Sequence, residues 1–251
     1  MAIIKSATEI AKMKESGRIV ARTLRLCSET IVPGKTTPNE LDALADKLIR
    51  DEGGVPSFLG YRGYPAATCI SVNNVVVHGI PTDDPLKEGD IISLDFGVVK
   101  DGWHADGAWT FAVGTISADA QKLMNVTRES LLQGIAKARP GNTIGDIGAA
   151  VQKYVESHGF GVVRDLVGHG IGQKLHDEPH NVPMFGKPGK GEKLREGMCI
   201  CIEPMINQGS WRVNTLEDGW TVVTADDKLS AHFEHTVAIT KNGPVILTTE
   251  D

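Results

Sequence analysis

Apolar residues recur at helical spacing from about Thr8 to Thr30, with Ile10, Met13, Val20 and Leu24 on one face, which predicts a long first helix. A second helix has an explicit start. Thr37 offers a capping hydroxyl, Pro38 takes the first helical position and Glu40 falls three residues after the cap, ahead of Leu41, Leu44, Leu48 and Ile49. Gly53-Gly54 ends it. A third helix starts at Ser117 with Leu123 and Val126 inward, and a fourth runs from Thr143 towards Gly159 through Ile147, Val151, Tyr154 and Val155. Strands are predicted at Ala67 to Val72, Val75 to His78, Ile91 to Val99, Trp103 to Val113, Met198 to Glu203, Trp220 to Thr224, Ala231 to Thr240 and Pro244 to Leu247. Hairpin signals join several of these, so the pattern predicts an α+β fold with a largely antiparallel sheet and helices packed on one face.

The order of elements repeats. Pro33-Gly34 before Thr37 is echoed by Pro140-Gly141 before Thr143, and LKEGDIISLD from Leu86 to Asp95 aligns without gaps with LREGMCICIE from Leu194 to Glu203. The first echo has an offset of 107 residues (Pro33 to Pro140) and the second of 108 (Leu86 to Leu194). That period is too long for a solenoid and predicts two related halves, roughly 1–115 and 116–251, inside a single domain of 251 residues. No low-complexity linker divides them.

Composition narrows the classes. Hydrophobic residues are 41% and charged residues 23%, as in ordinary globular chains. The formal net charge of −6 gives no basic footprint for nucleic acid or an anionic membrane. The N-terminal stretch turns polar after four residues and no apolar run approaches a membrane span, so a cytoplasmic protein is expected. Cys27, Cys69, Cys199 and Cys201 lack zinc-knuckle spacing and read as reduced and packed, with Cys69 lining a site.

Candidate chemistry concentrates in ISLDFGVVKDGWHADGAW. If Asp101-Gly102 is a two-residue turn, Lys100 pairs with Trp103 and Gly97 with Asp106. Asp95 then lies on the same face as Asp106 and diagonal to it, roughly 7–8 Å away at the backbone. Two such carboxylates repel unless one is protonated or a cation lies between them; the alternative is a shifted register with one aspartate in solvent. The repeat places Glu203 where its first copy has Asp95, and Glu234 sits in a third apolar strand, HFEHTVAIT. Unpaired buried carboxylates are costly, so four of them on inward strands favour a metal. His169, in the glycine-rich loop VGHGIG, supplies the missing neutral nitrogen ligand.

Asp95, Asp106, His169, Glu203 and Glu234 together resemble the five-ligand dinuclear centre of the methionine aminopeptidases, the pita-bread fold of two pseudo-symmetric halves. GYPAATCISVNNVVVHGIP, the LDFG-to-HAD hairpin, GHGIG, IEPM and FEHTVAIT stand in that family's order, and the chain is similar to the short bacterial type I form. The resemblance implies two divalent ions, Co, Mn, Fe(II) or Zn. An oxygen-rich set with one imidazole suits Mn(II), Fe(II) or Co(II). It further implies Glu203 as proton shuttle and His78 and His176 as the two catalytic histidines. Phe58, Tyr61, Tyr64, Cys69, His78, Leu175, His176 and Trp220 are expected to line the substrate pocket, where an aromatic wall suits a thioether. Asn73, Val75 and Ser230 match a monovalent-cation site for Na or K.

The implied reaction is removal of the initiator methionine from nascent chains whose second residue is small, by a monomer in transient contact with the ribosome. Two departures concern the pocket: Phe58 stands where bacterial relatives commonly have Cys, and Leu175 where they commonly have Phe. Two rival readings share the ligands. One is a proline-directed aminopeptidase or dipeptidase, which usually carries an additional N-terminal domain; the other is a binding protein that has lost the chemistry.

Overall fold

The structure, a computed structural model, describes residues 3–251 apart from the side chain of His180. Its helices begin where hydroxyl caps stand. Helix α1 (Ala7–Glu29) follows Ser6, whose Oγ accepts the Glu9 amide while the Glu9 carboxylate accepts the Ser6 amide. Helix α2 (Pro38–Asp51) follows Thr37 and Glu40 in the same reciprocal arrangement. Helix α3 (Ala118–Ile135) is capped by Ser117, and α4 (Ile144–Ser157) by Thr143 with Asp146. The first two helices share an apolar core with the strands of residues 91–112, whereas α3 and α4 pack on the strands of the second half.

The central hairpin pairs Ile91–Lys100 with Trp103–Ala112. Asp101 and Gly102 both take positive φ, 51° and 76°, as a type I′ turn requires, and the register runs Lys100↔Trp103, Gly97↔Asp106 and Asp95↔Ala108. Cys69–Val72 adds to its other side with Cys69 opposite Asp95. A five-stranded sheet in the second half has the order Gly243–Ile246, His235–Thr240, Cys199–Ile202, Gly168–Gly170, Asp177–Val182. Every strand pairing among the described residues is antiparallel.

Several strands differ from the sequence reading for identifiable reasons. The expected strand over Ala231 to Thr240 is two strands, Ser230–His232 and His235–Thr240, broken at Phe233-Glu234. Opposite the break lies Pro204, which has no amide to donate, and the partner strands Cys199–Ile202 and Met205–Asn207 end on either side of it. Glu203 and Glu234 therefore occupy facing gaps in a ladder. His169 lies in a short strand, Gly168–Gly170, rather than a loop. Its glycines serve close packing: a Cβ at Gly168 would come within 2.3 Å of the Cys201 carbonyl oxygen, and one at Gly170 within 2.4 Å of that of Glu178. The strand from Val75 stops at Val77 because His78 turns to φ 57°. Trp220 and Thr221 stay out of the Val222–Thr224 strand because both amides donate to the Asp218 carboxylate.

The repeated motif makes the same bonds twice. The Gly34 amide donates to Leu86 and the Gly141 amide to Leu194; Gly89 donates to Val113 and Gly197 to Ile239; Val113 donates to Asp90 and Ile239 to Met198. A six-bond seam joins the hairpin to residues 232–236. Glu234 and Ala108 exchange backbone bonds (2.8 and 3.4 Å). On one flank the Thr110 hydroxyl accepts the His232 amide and donates to its carbonyl, and on the other the Thr236 hydroxyl accepts the Asp106 amide at 2.9 Å and donates to its carbonyl at 2.8 Å.

Replacing Thr236 by Val keeps the shape and orphans both backbone groups of Asp106. The expected loss is about 2–4 kcal/mol, or on the order of 5–15 °C in melting temperature, with Thr236→Ser close to the parent; thermal unfolding followed by circular dichroism measures both.

Candidate metal centre

Four elements bring the candidate ligands together. Asp95 and Asp106 come from the two strands of the hairpin, Glu203 from the residue after Cys199–Ile202, Glu234 from the break before His235–Thr240, and His169 from Gly168–Gly170. All five line one cavity of about 310 Å³. Asp106, His169 and Glu234 each offer a ligand atom within 4.8 Å of the others, in a cluster that also includes Cys201.

The state of His169 is fixed by its neighbour. Nδ1 lies 3.0 Å from the Gly170 carbonyl oxygen, which can only accept, so Nδ1 carries the proton. The lone pair of Nε2 therefore faces Asp106 Oδ2 at 4.0 Å and Glu203 Oε1 at 3.7 Å. Donor pairs at this separation fit ligands about 2.0–2.2 Å from a shared ion. Asp95 Oδ1, Asp106 Oδ1, Glu203 Oε1 and Glu234 Oε1 are all buried without a hydrogen-bond partner. Orphaned acceptors facing a bare imidazole lone pair are what a divalent cation would satisfy, and the donor set fits one.

Without an ion, the same burial opposes charge. Desolvation holds Asp95, Glu203 and Glu234 well above the usual carboxylate range, and neighbouring carboxylates push each further in the same direction. Desolvation pushes Asp106 up to about 7, against a hydrogen bond from the Gly107 amide. His169 is lowered to about 4, again chiefly by burial. The candidate nitrogen ligand is thus neutral where the carboxyls are still titrating.

The walls are apolar and aromatic. Phe58, Tyr64, Cys69 and Leu175 are buried, with Tyr61 and Trp220 half-buried, and all six line the cavity together with His78 and His176. Tyr64 meets Trp220 edge-on at 5.1 Å between centroids. Tyr61 stacks on His176 at 5.3 Å, and His176 lies 4.0 Å from His169. Phe58 also closes on the hairpin: a Cβ at Gly97 would come within 2.7 Å of its ring. Desolvation lowers His78, which keeps it neutral.

Away from the cavity, the Ser230 amide donates to the Asn73 carbonyl at 2.9 Å, which brings two of the candidate cation-site residues together, while Val75 lies at the start of the strand Val75–Val77. Sequence reasoning missed Arg62 and Met205 in the lining, and Cys201 and His232 beside the acids. Strand alternation could have found the last two, since each lies two residues before a candidate glutamate.

Comparison with known proteins agrees with this geometry. The model for "Metallopeptidase family M24" matches residues 11–241. A methionine aminopeptidase from Clostridium perfringens is 55% identical over 248 residues, with 99% of each chain covered. The crystal structure of a methionine aminopeptidase from Thermotoga maritima superposes with a TM-score of 0.97 at 47% identity, covering all of both chains. A prolidase from Pyrococcus furiosus shares the fold at a TM-score of 0.79 and 22% identity, and the match covers 66% of that longer chain. The chain belongs to metallopeptidase family M24 and, within it, groups with the methionine aminopeptidases.

Proposed function

We propose that this enzyme removes the N-terminal methionine from peptides whose second residue is small, using two divalent ions held by Asp95, Asp106, His169, Glu203 and Glu234. The observation that carries the reading is the bare Nε2 of His169 facing Asp106 and Glu203 at the floor of an aromatic-walled cavity. Ions in such a site supply Lewis acidity to the scissile carbonyl and a lowered pKa for the attacking water. Mn(II), Fe(II) or Co(II) suit the donors better than a structural zinc role does.

The protein's own groups divide the remaining work. Glu203, whose side chain is 12% exposed at the cavity floor, takes the proton of the attacking water and passes it to the leaving amine. His78 and His176 present imidazole donors to the developing oxyanion and the peptide nitrogen. Phe58, Tyr61, Tyr64, Cys69, Leu175 and Trp220 enclose the methionine side chain, with Phe58 and Leu175 setting its shape. A tight approach beside the scissile bond excludes a bulky second residue.

The reading extends to a single catalytic domain of two duplicated halves, which the paired hydrogen bonds of the repeat support. It also includes a Na or K ion near Asn73, Val75 and Ser230, and a cytoplasmic monomer acting on chains as they leave the ribosome. Four free, buried cysteines suit such a reducing compartment.

Three outcomes follow. Asp106→Ala lowers kcat/KM on Met-Ala peptides by about 10³-fold or more, and metal-replete parent protein without turnover would favour the binding-protein alternative. Met-Ala peptides are cleaved on the order of 100-fold better than Met-Lys peptides, whereas exclusive hydrolysis of Xaa-Pro peptides would favour a prolidase. Metal binding must displace protons from Asp95, Asp106, Glu203 and Glu234, all raised by burial, while His169, lowered to about 4, is already neutral. Affinity for Mn(II) therefore rises with pH through about 7 and beyond it, with proton release detected by calorimetry in buffers of different ionisation enthalpy.

A further inference from the structure

Lys5 is 3% exposed, and the reaction above gives this buried lysine no task. Its backbone is clamped: the amide donates to the Gly197 carbonyl at 2.8 Å, a Cβ at Gly197 would come within 2.7 Å of the Lys5 carbonyl oxygen, and Ser6 caps α1 immediately afterwards. The side chain runs inwards to a carboxylate 172 residues away in sequence, with Nζ 3.4 Å from Asp177 Oδ2 and the two side chains 1% and 6% exposed. Asp177 Oδ1 accepts the Glu178 amide at 2.9 Å, so both oxygens of the carboxylate are engaged. Gly172 makes the room, since a Cβ there would come within 2.6 Å of Lys5 Cε and 3.1 Å of Asp177 Oδ2.

Taking two charges out of water costs about as much as their attraction returns, so such a pair adds little net stability. What it adds is placement. Asp177 directly follows His176, opens the strand Asp177–Val182 and pairs with Gly170, the residue after His169. The bend over residues 172–176 is therefore held at both ends: the Gly172 carbonyl accepts the His104 amide at 2.8 Å, and Asp177 is tied to Lys5. We propose that Lys5 is a positioning residue for His176, its ammonium fixing Asp177 so that the neighbouring imidazole keeps its place beside His169, with 4.0 Å between ring centroids. That role rests on the catalytic reading of His176 and adds to it a residue outside the cavity lining.

The test is steady-state cleavage of a Met-Ala peptide by the Mn(II)-loaded full chain. Lys5→Met alone leaves Asp177 buried and unpaired and is expected to lose stability as well as kcat. The double variant Lys5→Met/Asp177→Asn removes both charges, keeps an acceptor for the Glu178 amide and is expected to melt close to the parent. Its kcat is expected to fall about 10- to 100-fold, with KM and the Mn(II) Kd each within about threefold of the parent, because the His176 donor acts in the transition state. A merely structural pair would recover kcat together with the melting temperature, so parental kcat in the double variant overturns the proposal. A double variant that does not fold makes the pair structural and contradicts the assignment as well. So does an equal loss of kcat in Ser6→Ala, which removes the cap of the same helix without touching the pair. A parent chain without turnover on the peptide overturns the catalytic reading itself.

Discussion

Four carboxyl groups are withdrawn from water into one cavity floor, where the fold must hold them close together. Asp95, Asp106, Glu203 and Glu234 repel one another, and burial raises the cost of each charge. No Lys or Arg side chain forms an ion pair with them among the described residues. The surrounding structure must therefore hold them against their own electrostatics until a cation arrives.

The seam between the hairpin and residues 232–236 meets that demand. Thr110 and Thr236 use one hydroxyl each to satisfy an amide and a carbonyl, so the hairpin and the Glu234 segment are locked on both sides of the Ala108–Glu234 pair. Backbone rigidity at Asp106 and Glu234 is thereby independent of their carboxylates, which stay free to coordinate. Glycines at 168 and 170 let the His169 strand approach the neighbouring backbone closely enough for one imidazole to reach two acids. The ladder break at Pro204 supplies the other half of the geometry, opening the gap into which Glu203 and Glu234 project.

Much of this was legible in the sequence because its signals are local. The Asp101-Gly102 turn fixes the register that places Asp95 near Asp106, and the Thr37 and Thr143 caps define helix starts without tertiary information. The repeat carried Asp95 onto Glu203 across a distance of 108 residues. What escaped depends on contacts between distant segments. Gly168 to Gly170 reads as a loop because its strand character comes from backbone packing that glycine alone permits. His232 and Cys201 look like ordinary strand positions until Glu234 and Glu203 are seen to face each other across a broken ladder.

The central claim is that cations, rather than protons, neutralise the four carboxylates. Crystals grown with Mn(II) and measured for anomalous scattering test it most directly. Two peaks are predicted within coordination distance of the acids, one of them bonded to His169 Nε2. A cavity with no anomalous density, or with Mn(II) only at surface carboxylates and a proton shared between Asp95 and Asp106, would contradict the account.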